Sequence, residues 1–257
     1  MGTSNSLVTK NKRVGESILG VLFFACAFVS VITTAVVIVI IATETVSFFK
    51  EVPVTEFLFG TEWTPLLNPK SYGILPLLSG TILIVVGSAA VALPVGVASA
   101  IYLSEYASDR VRNIVKPILE ILAGIPTVVY GFFALTFVTP ILKSVFPETN
   151  VFNAASAAIV VGIMVMPMVA SLCDDSLRAV PKALREGAYS LGGTSFEVTV
   201  RVVLPGALSG IFAAFVLAIS RAIGETMAVT LAAGATPNLT LNPLESIQTM
   251  TSYIVQV

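Results

Sequence analysis

Arg221 and Glu225 stand four residues apart inside an apolar stretch that runs from about Gly206 to Ala233. At that spacing both side chains project from one face of a helix. A charge near the centre of a bilayer costs at least about 2.5–3.5 kcal/mol on insertion scales, so such groups persist where they face a bundle interior or an aqueous path and have partners. The Arg221 guanidinium is a planar fork of donors suited to an oxyanion. Glu225 can pair with it, which would keep the carboxylate ionised despite burial, or with a group on a neighbouring subunit. The functional reading is a polar site on a path through the membrane. The alternatives are a purely structural ion pair, or a span that ends before these residues. Glu120, about four residues into another span that also holds Pro126, is a candidate for gating or packing, or simply reaches the headgroup layer.

Other chemistry is excluded by what the chain lacks. There is no His, so imidazole metal sites and Ser-His-Asp or Cys-His catalysis are ruled out. Cys26 and Cys173 lie in or beside apolar spans, are not spaced as a metal pair, and read as small buried hydrophobes. No Gly-rich loop followed by Lys and Ser/Thr is present, so the chain cannot hydrolyse nucleotide by that route. No catalytic residue and no bound cofactor is expected, and if ATP drives transport the motor is another polypeptide. A net charge of −1 without a basic tail gives no reason to expect nucleic acid as a partner.

The elements that must position these charges are membrane helices. Of 257 residues, 56% are hydrophobic and 11% charged, against about 25% charged in a soluble domain. Too few charges remain to cover a water-facing surface, so the expected fold is all-α, a polytopic transmembrane bundle in contact with lipid. Five spans are predicted: Ile18 to about Ala42, Pro76 to Leu103, Ile118 to Leu142, Ala154 to Cys173, and Gly206 to Ala233. Pro94 predicts a kink or break in the second, and Gly80, Gly87 and Gly96 allow close helix approach. Pro126 and Pro167 lie inside the third and fourth. Residues 44–75 read as a loop in which Trp63 and Phe57 or Phe59 are candidates for the interface level, as aromatic anchors are. No apolar run of spanning length follows Ala233.

Lys and Arg give the orientation. Alternating spans place segments 1–17, 104–116 and 174–205 on one side with ten basic residues, against Lys50, Lys70 and Lys143 on the other. The positive-inside rule puts the ten in the cytoplasm, together with the N-terminus. The chain then divides into a cytoplasmic N-terminal segment, 1–17, and a permease domain, 18–257, with a cytoplasmic loop at 174–205.

That loop is strongly punctuated. Pro181 suits the first position of a helix. Leu184, Ala188 and Leu191 give an apolar stripe, with Lys182, Arg185 and Tyr189 away from it. Gly192 ends the helix with a positive φ, Thr194-Ser195-Phe196-Glu197 is a capping box opening a second helix, and Pro205 closes the loop. Two short helices on a glycine hinge make a docking element for a soluble partner, or an ordinary interfacial loop.

Glu186-Gly187-Ala188, then Gly192, then Val202-x-Leu204-Pro205 resembles the EAA motif of bacterial ABC importer membrane subunits, with nine residues between the Gly and the final hydrophobic-x-Leu-Pro; Gly187 stands where the motif has Ala. The runs Glu120 to Gly131 and Arg221 to Thr230, with Gly73-Ile74-Leu75-Pro76 and Asn242 to Ser246, resemble the phosphate importer permeases of the PstC type over most of the chain. The resemblance implies a type I importer permease of the bacterial inner membrane. Glu186, Gly187, Ala188, Leu191, Gly192, Leu204 and Pro205 would form a coupling helix in a cleft of an ATPase dimer. Arg221 and Glu225 would act in phosphate translocation. A second, homologous permease and an extracytoplasmic phosphate-binding protein would complete the assembly. The family usually carries a sixth helix after a segment like 242–257, so a sixth span is expected and is absent from the sequence. Two other readings stay open on the residues alone: a gradient-driven secondary transporter with Glu225 as its ion site, and a membrane sensor or scaffold reporting phosphate status.

Overall fold

The computed structural model describes residues 14–256, with side chains from residue 18 onward. The polar segment 1–17 therefore falls outside the described residues up to position 13. The chain forms two compact units that divide at residue 54.

The first unit is one helix, α1 (Val14–Glu51), nine residues longer at its C-terminus than the predicted span. Its threonines do not interrupt it, because Thr33, Thr34 and Thr45 return their hydroxyls to carbonyls one turn back. Apolar side chains such as Phe24, Val31 and Ile38 are exposed all round it, the pattern of a helix solvated by lipid rather than water.

A short helix, α2 (Val54–Phe59), falls at the division. In the second unit, Trp63 bridges to Tyr72 and meets the rings of Tyr72 and Tyr253 edge-on. Trp63 is thus half-buried against protein. Then come α3 (Leu75–Ile101), which continues through a π-helical turn to Tyr106, and α4 (Asp109–Ala123). The next stretch comprises α5 (Thr127–Phe133), a π-helical turn and α6 (Thr139–Val145). The central helix α7 (Ala154–Arg178) follows. Next are α8 (Lys182–Ser190), α9 (Ser195–Val198), a third π-helical turn (Thr199–Val203) and α10 (Leu204–Ile223). The described chain closes with α11 (Met227–Ala233) and α12 (Met250–Gln256).

Among the described residues, five helical stretches are long and apolar enough to span a membrane: Ile18–Glu51, Leu75–Tyr106, Thr127–Val145, Ala154–Arg178 and Ser195–Ile223. The number matches the sequence reading, but several boundaries do not. The third span begins at Thr127, past a break at Gly124-Ile125-Pro126, so Ile118–Ala123 belongs to α4 instead. The fifth begins at Ser195 and ends at Ile223, so Pro205 does not close the loop. Its missing N–H and its clash with the carbonyl four residues back are absorbed by the π-helical turn that ends at Val203. Asp174 and Asp175, read as the exit of the fourth span, remain inside α7. Pro94 is likewise carried within α3 without a break.

The core lies between α3, α7 and α10. Small residues let α3 and α7 meet backbone to side chain in both directions: a Cβ at Gly96 would sit 2.7 Å from Val169, and one at Gly162 2.7 Å from Val91. Asn153 caps α7 by accepting from the Ser156 N–H at 2.7 Å, a helix end of the favoured kind. The segment between α11 and α12 covers the same end of the bundle. The N–H groups of Asn150, Ala154 and Ala155 donate to the carbonyls of Leu244, Glu245 and Pro243.

Candidate functional site

The site begins with α4, whose pattern is inside-out. Arg112, Lys116 and Glu120 recur every four residues, and with Leu119 and Ala123 they line a cleft of about 200 Å³. Val111, Ile114, Ile118 and Ile121 lie on the opposite, exposed face. A water-soluble bundle would reverse this arrangement. Ser108 starts the helix, its hydroxyl accepting from the Val111 N–H. The far wall is α7, through Pro167, Met168, Ser171 and Asp174, and Arg221 completes the lining.

Asp174 holds the two walls together. It is 2% exposed and accepts from Arg112 Nη2 at 3.0 Å and Arg178 Nε at 3.1 Å, with Lys116 Nζ at 3.6 Å. Lys116 also reaches the exposed Asp175 at 3.2 Å. A carboxylate this buried is stable only with such partners. The guanidinium of Arg112 is not saturated: its Nε is buried without an acceptor. Arg221, in the last turn of α10, lies within ion-pair distance of no carboxylate among the described residues. The cleft therefore carries three cations, Arg112, Lys116 and Arg221, against two carboxylates, Glu120 and Asp174. A small anion is the solute whose charge this surplus complements.

Glu225 is placed differently from the sequence expectation. The α10 helix stops at Ile223, and Gly224-Glu225-Thr226 is a break before α11, so Arg221 and Glu225 do not share a helix face and form no ion pair. The Glu225 carboxylate turns forward and accepts the Ala228 N–H at 3.2 Å, as a cap for α11, and is 8% exposed. The glycine at 224 and the free N–H groups of a new helix outweigh the i, i+4 pairing. Glu225 does not line the cleft; Glu120 does.

The two breaks belong together. Pro126 ends the α4 run and starts α5, and the Tyr130 hydroxyl donates back across the break to the Leu122 carbonyl at 2.8 Å. Past the breaks, α5 and α11 pack so tightly that a Cβ at Gly131 would sit 2.8 Å from Leu231.

The loop at 174–205 forms its predicted hinge. Gly192 has φ +85°, and Thr194 and Glu197 make the reciprocal capping box. Pro181 is the residue just before α8 rather than its first. The two leucines of the apolar stripe face outward. Leu184 is 53% and Leu191 90% exposed, while Arg185 turns inward to Glu105 at 2.6 Å. An apolar stripe turned outward from the bundle is an unfilled contact surface. Glu186 and Gly187 are exposed beside it, with open space around Gly187, so the Ala that the motif carries there would fit. Ala188 and Leu204 are half-buried and Pro205 exposed. A shallow concavity of about 370 Å³ lies under the turn, bounded by Ala188, Gly193, Val198 and Arg201.

Sequence reasoning did not single out Arg112, Lys116, Ser171, Asp174 or the Glu105–Arg185 pair as site residues. The first two had a legible signal, since they continue the four-residue spacing of Glu120. Asp174 and the Glu105–Arg185 pair had none, because their partners lie 62 and 80 residues away in the chain, and Ser171 is an ordinary small residue within an apolar span.

Residues 92–255 match the family described as binding-protein-dependent transport system inner membrane component. Over 258 aligned residues the chain is 31% identical to the probable ABC transporter permease protein YqgH of Bacillus subtilis (strain 168), covering 99% of this chain and 84% of that protein. It is 34% identical over 197 residues to the phosphate transport system permease protein PstC of Mesorhizobium japonicum, covering 69% of this chain and 60% of that one. It is 34% identical over 234 residues to phosphate transport system permease protein PstC 1 of Mycobacterium tuberculosis, covering 78% and 69%. Among solved structures, an inward-facing MetNI methionine ABC transporter aligns with TM-score 0.47 and 21% identity over 59% of this chain and 68% of that one. On the match across most of its length, the chain belongs to the inner membrane components of binding-protein-dependent transport systems, a family of transport subunits rather than enzymes.

Proposed function

We propose that this chain is a permease subunit of an ATP-driven phosphate importer and forms half of its translocation path. The observation that carries the reading is Arg221, a cation without a carboxylate partner among the described residues, in a cleft with surplus positive charge, in a chain whose 34%-identical relatives are named phosphate permeases. Phosphate near neutral pH is a small oxyanion that a guanidinium fork can bind through two donors. On the positive-inside count, α8, α9 and the N-terminus lie in the cytoplasm. There the outward stripe of Leu184 and Leu191 would seat in an ATPase dimer, which supplies the ATP hydrolysis. A second, homologous permease would face this one, and an extracytoplasmic phosphate-binding protein would deliver the solute on the opposite side. The exposed faces of α1 and α4 would meet lipid or that second permease.

Mechanistically, nucleotide-driven closure of the ATPase would displace α8 and α9. Because α9 runs without a break into α10, the displacement would reach Arg221 at the far end of the same helical stretch. Access to the cleft then alternates if the two states contact the motor differently. The gradient-driven reading is less well supported, because its proposed ion site, Glu225, is occupied in capping α11.

The test is phosphate uptake by the complete transporter carrying Arg221→Gln. Uptake should fall at least about tenfold, as befits loss of a charged hydrogen bond, with all subunits still co-purifying. Unchanged uptake would remove Arg221 from the path.

A further inference from the structure

Apart from the three-residue connector from α7 and the backbone turn that follows it, α8 has few attachments to the bundle. Of its nine residues only Arg185 and Ala188 are even half-buried. Arg185 makes the directional contacts. Its Nη1 donates to both oxygens of Glu105, at 2.6 and 2.7 Å, and its Nη2 donates to the Leu177 carbonyl at 2.6 Å. The side chains are 19% and 7% exposed. Glu105 lies in the π-helical turn that prolongs α3, and Leu177 in the last turn of α7. One guanidinium thus ties α8 to both central helices, which are themselves interlocked at Gly96 and Gly162.

We propose that Arg185 is the positioning residue through which movement of α8 is passed to α3 and α7, with Glu105 as its counterpart. The inference rests on the importer reading for the source of that movement. The chemistry suits the task. A guanidinium has donors in a fixed planar fork and so fixes an angle as well as a distance, which a lysine ammonium does not. Burial keeps the pair from being screened or exchanged for water. The other links of α8 are Ala188, the next turn and the three-residue connector from α7, none of which reaches α3 or fixes the rotation of the helix about its own axis. A π-helical turn is a backbone segment that can change register locally, so Glu105 stands where a pull on α3 has the most effect. Asp174 is a separate clamp: its ion pairs are with Arg112 and Lys116 of α4 and Arg178 of α7.

The experiment uses the complete transporter, purified through a tag on the ATPase and reconstituted with the loaded binding protein, so that only assembled complexes are measured. The readout is solute moved per ATP hydrolysed, for Arg185→Gln, Glu105→Gln and the double variant. Each single variant should lower the ratio at least about fivefold, the low end of ordinary coupling factors. The double variant should be no worse than either, because both remove one link. Arg185→Lys, which keeps the charge and loses the fork, should fall between Arg185→Gln and the native chain. A native ratio in the single variants, or losses that multiply in the double, would overturn the proposal. If neither single variant assembles, the pair is a brace and not a transmitter, and the proposal likewise falls. A native complex that hydrolyses ATP in response to loaded binding protein but moves no phosphate would refute the substrate reading alone. The tether is then read from the stimulation of hydrolysis.

Discussion

Replacing Asp174 by Asn tests whether the buried carboxylate is the clamp between α4 and α7. The substitution keeps size and one acceptor oxygen but removes the charge that faces Arg112, Lys116 and Arg178. Breaking one side of a buried ion pair costs about 3–5 kcal/mol. Here the stranded cations are 21%, 31% and 38% exposed, so water recovers part of their solvation, and Lys116 retains Asp175. The expected loss is therefore about 2–3 kcal/mol, below the full buried-pair figure. Asp175→Asn is the internal control. Its side chain is 61% exposed with one partner, so the cost should be under about 1 kcal/mol. Both are measured as unfolding free energies of the purified chain by SDS titration in mixed micelles. An Asp174→Asn variant within about 0.5 kcal/mol of the native chain, or an Asp175→Asn variant equally destabilised, would refute the clamp.

Four further outcomes are expected. Gly234→Ala should cost about 1–3 kcal/mol by the same titration, because Gly234 has φ +89° and the new Cβ would lie 2.6 Å from Ser246 Oγ; a neutral result would mean the turn rebuilds. Gly187→Ala has open space and should stabilise α8 by about 0.5–1 kcal/mol, seen as a higher melting temperature. Glu225→Gln should keep the cap on the Ala228 N–H and native stability, whereas Glu225→Ala should lose about 1 kcal/mol; equal loss in both would show that the charge matters instead. Gly192→Pro locks φ near −65° where the turn needs +85°, so pull-down should show the ATPase released while the chain stays folded; full retention would place the docking surface elsewhere.

What composition and local order determine, they determined well here. An uncharged run of spanning length has few alternatives to a membrane helix, which is why the five spans were legible. Hinge and capping box at Gly192 and Thr194–Glu197 were legible for the same local reason: φ preference and a three-residue hydrogen bond need no distant partner. Arg221 and Glu120 stood out because a charge in an apolar run is costly wherever it sits. Only the tertiary structure decided which way things face. The stripe at Leu184 and Leu191 turned outward because the inward side of α8 was taken by Arg185, whose partner lies 80 residues earlier. Glu225 left Arg221 because the chain breaks at Gly224 to start α11 against α5. Arg112 and Lys116 became lining residues through Asp174, a carboxylate on another helix. Facing and pairing are set by free energies summed over elements far apart in the chain, and no spacing rule within one element contains them.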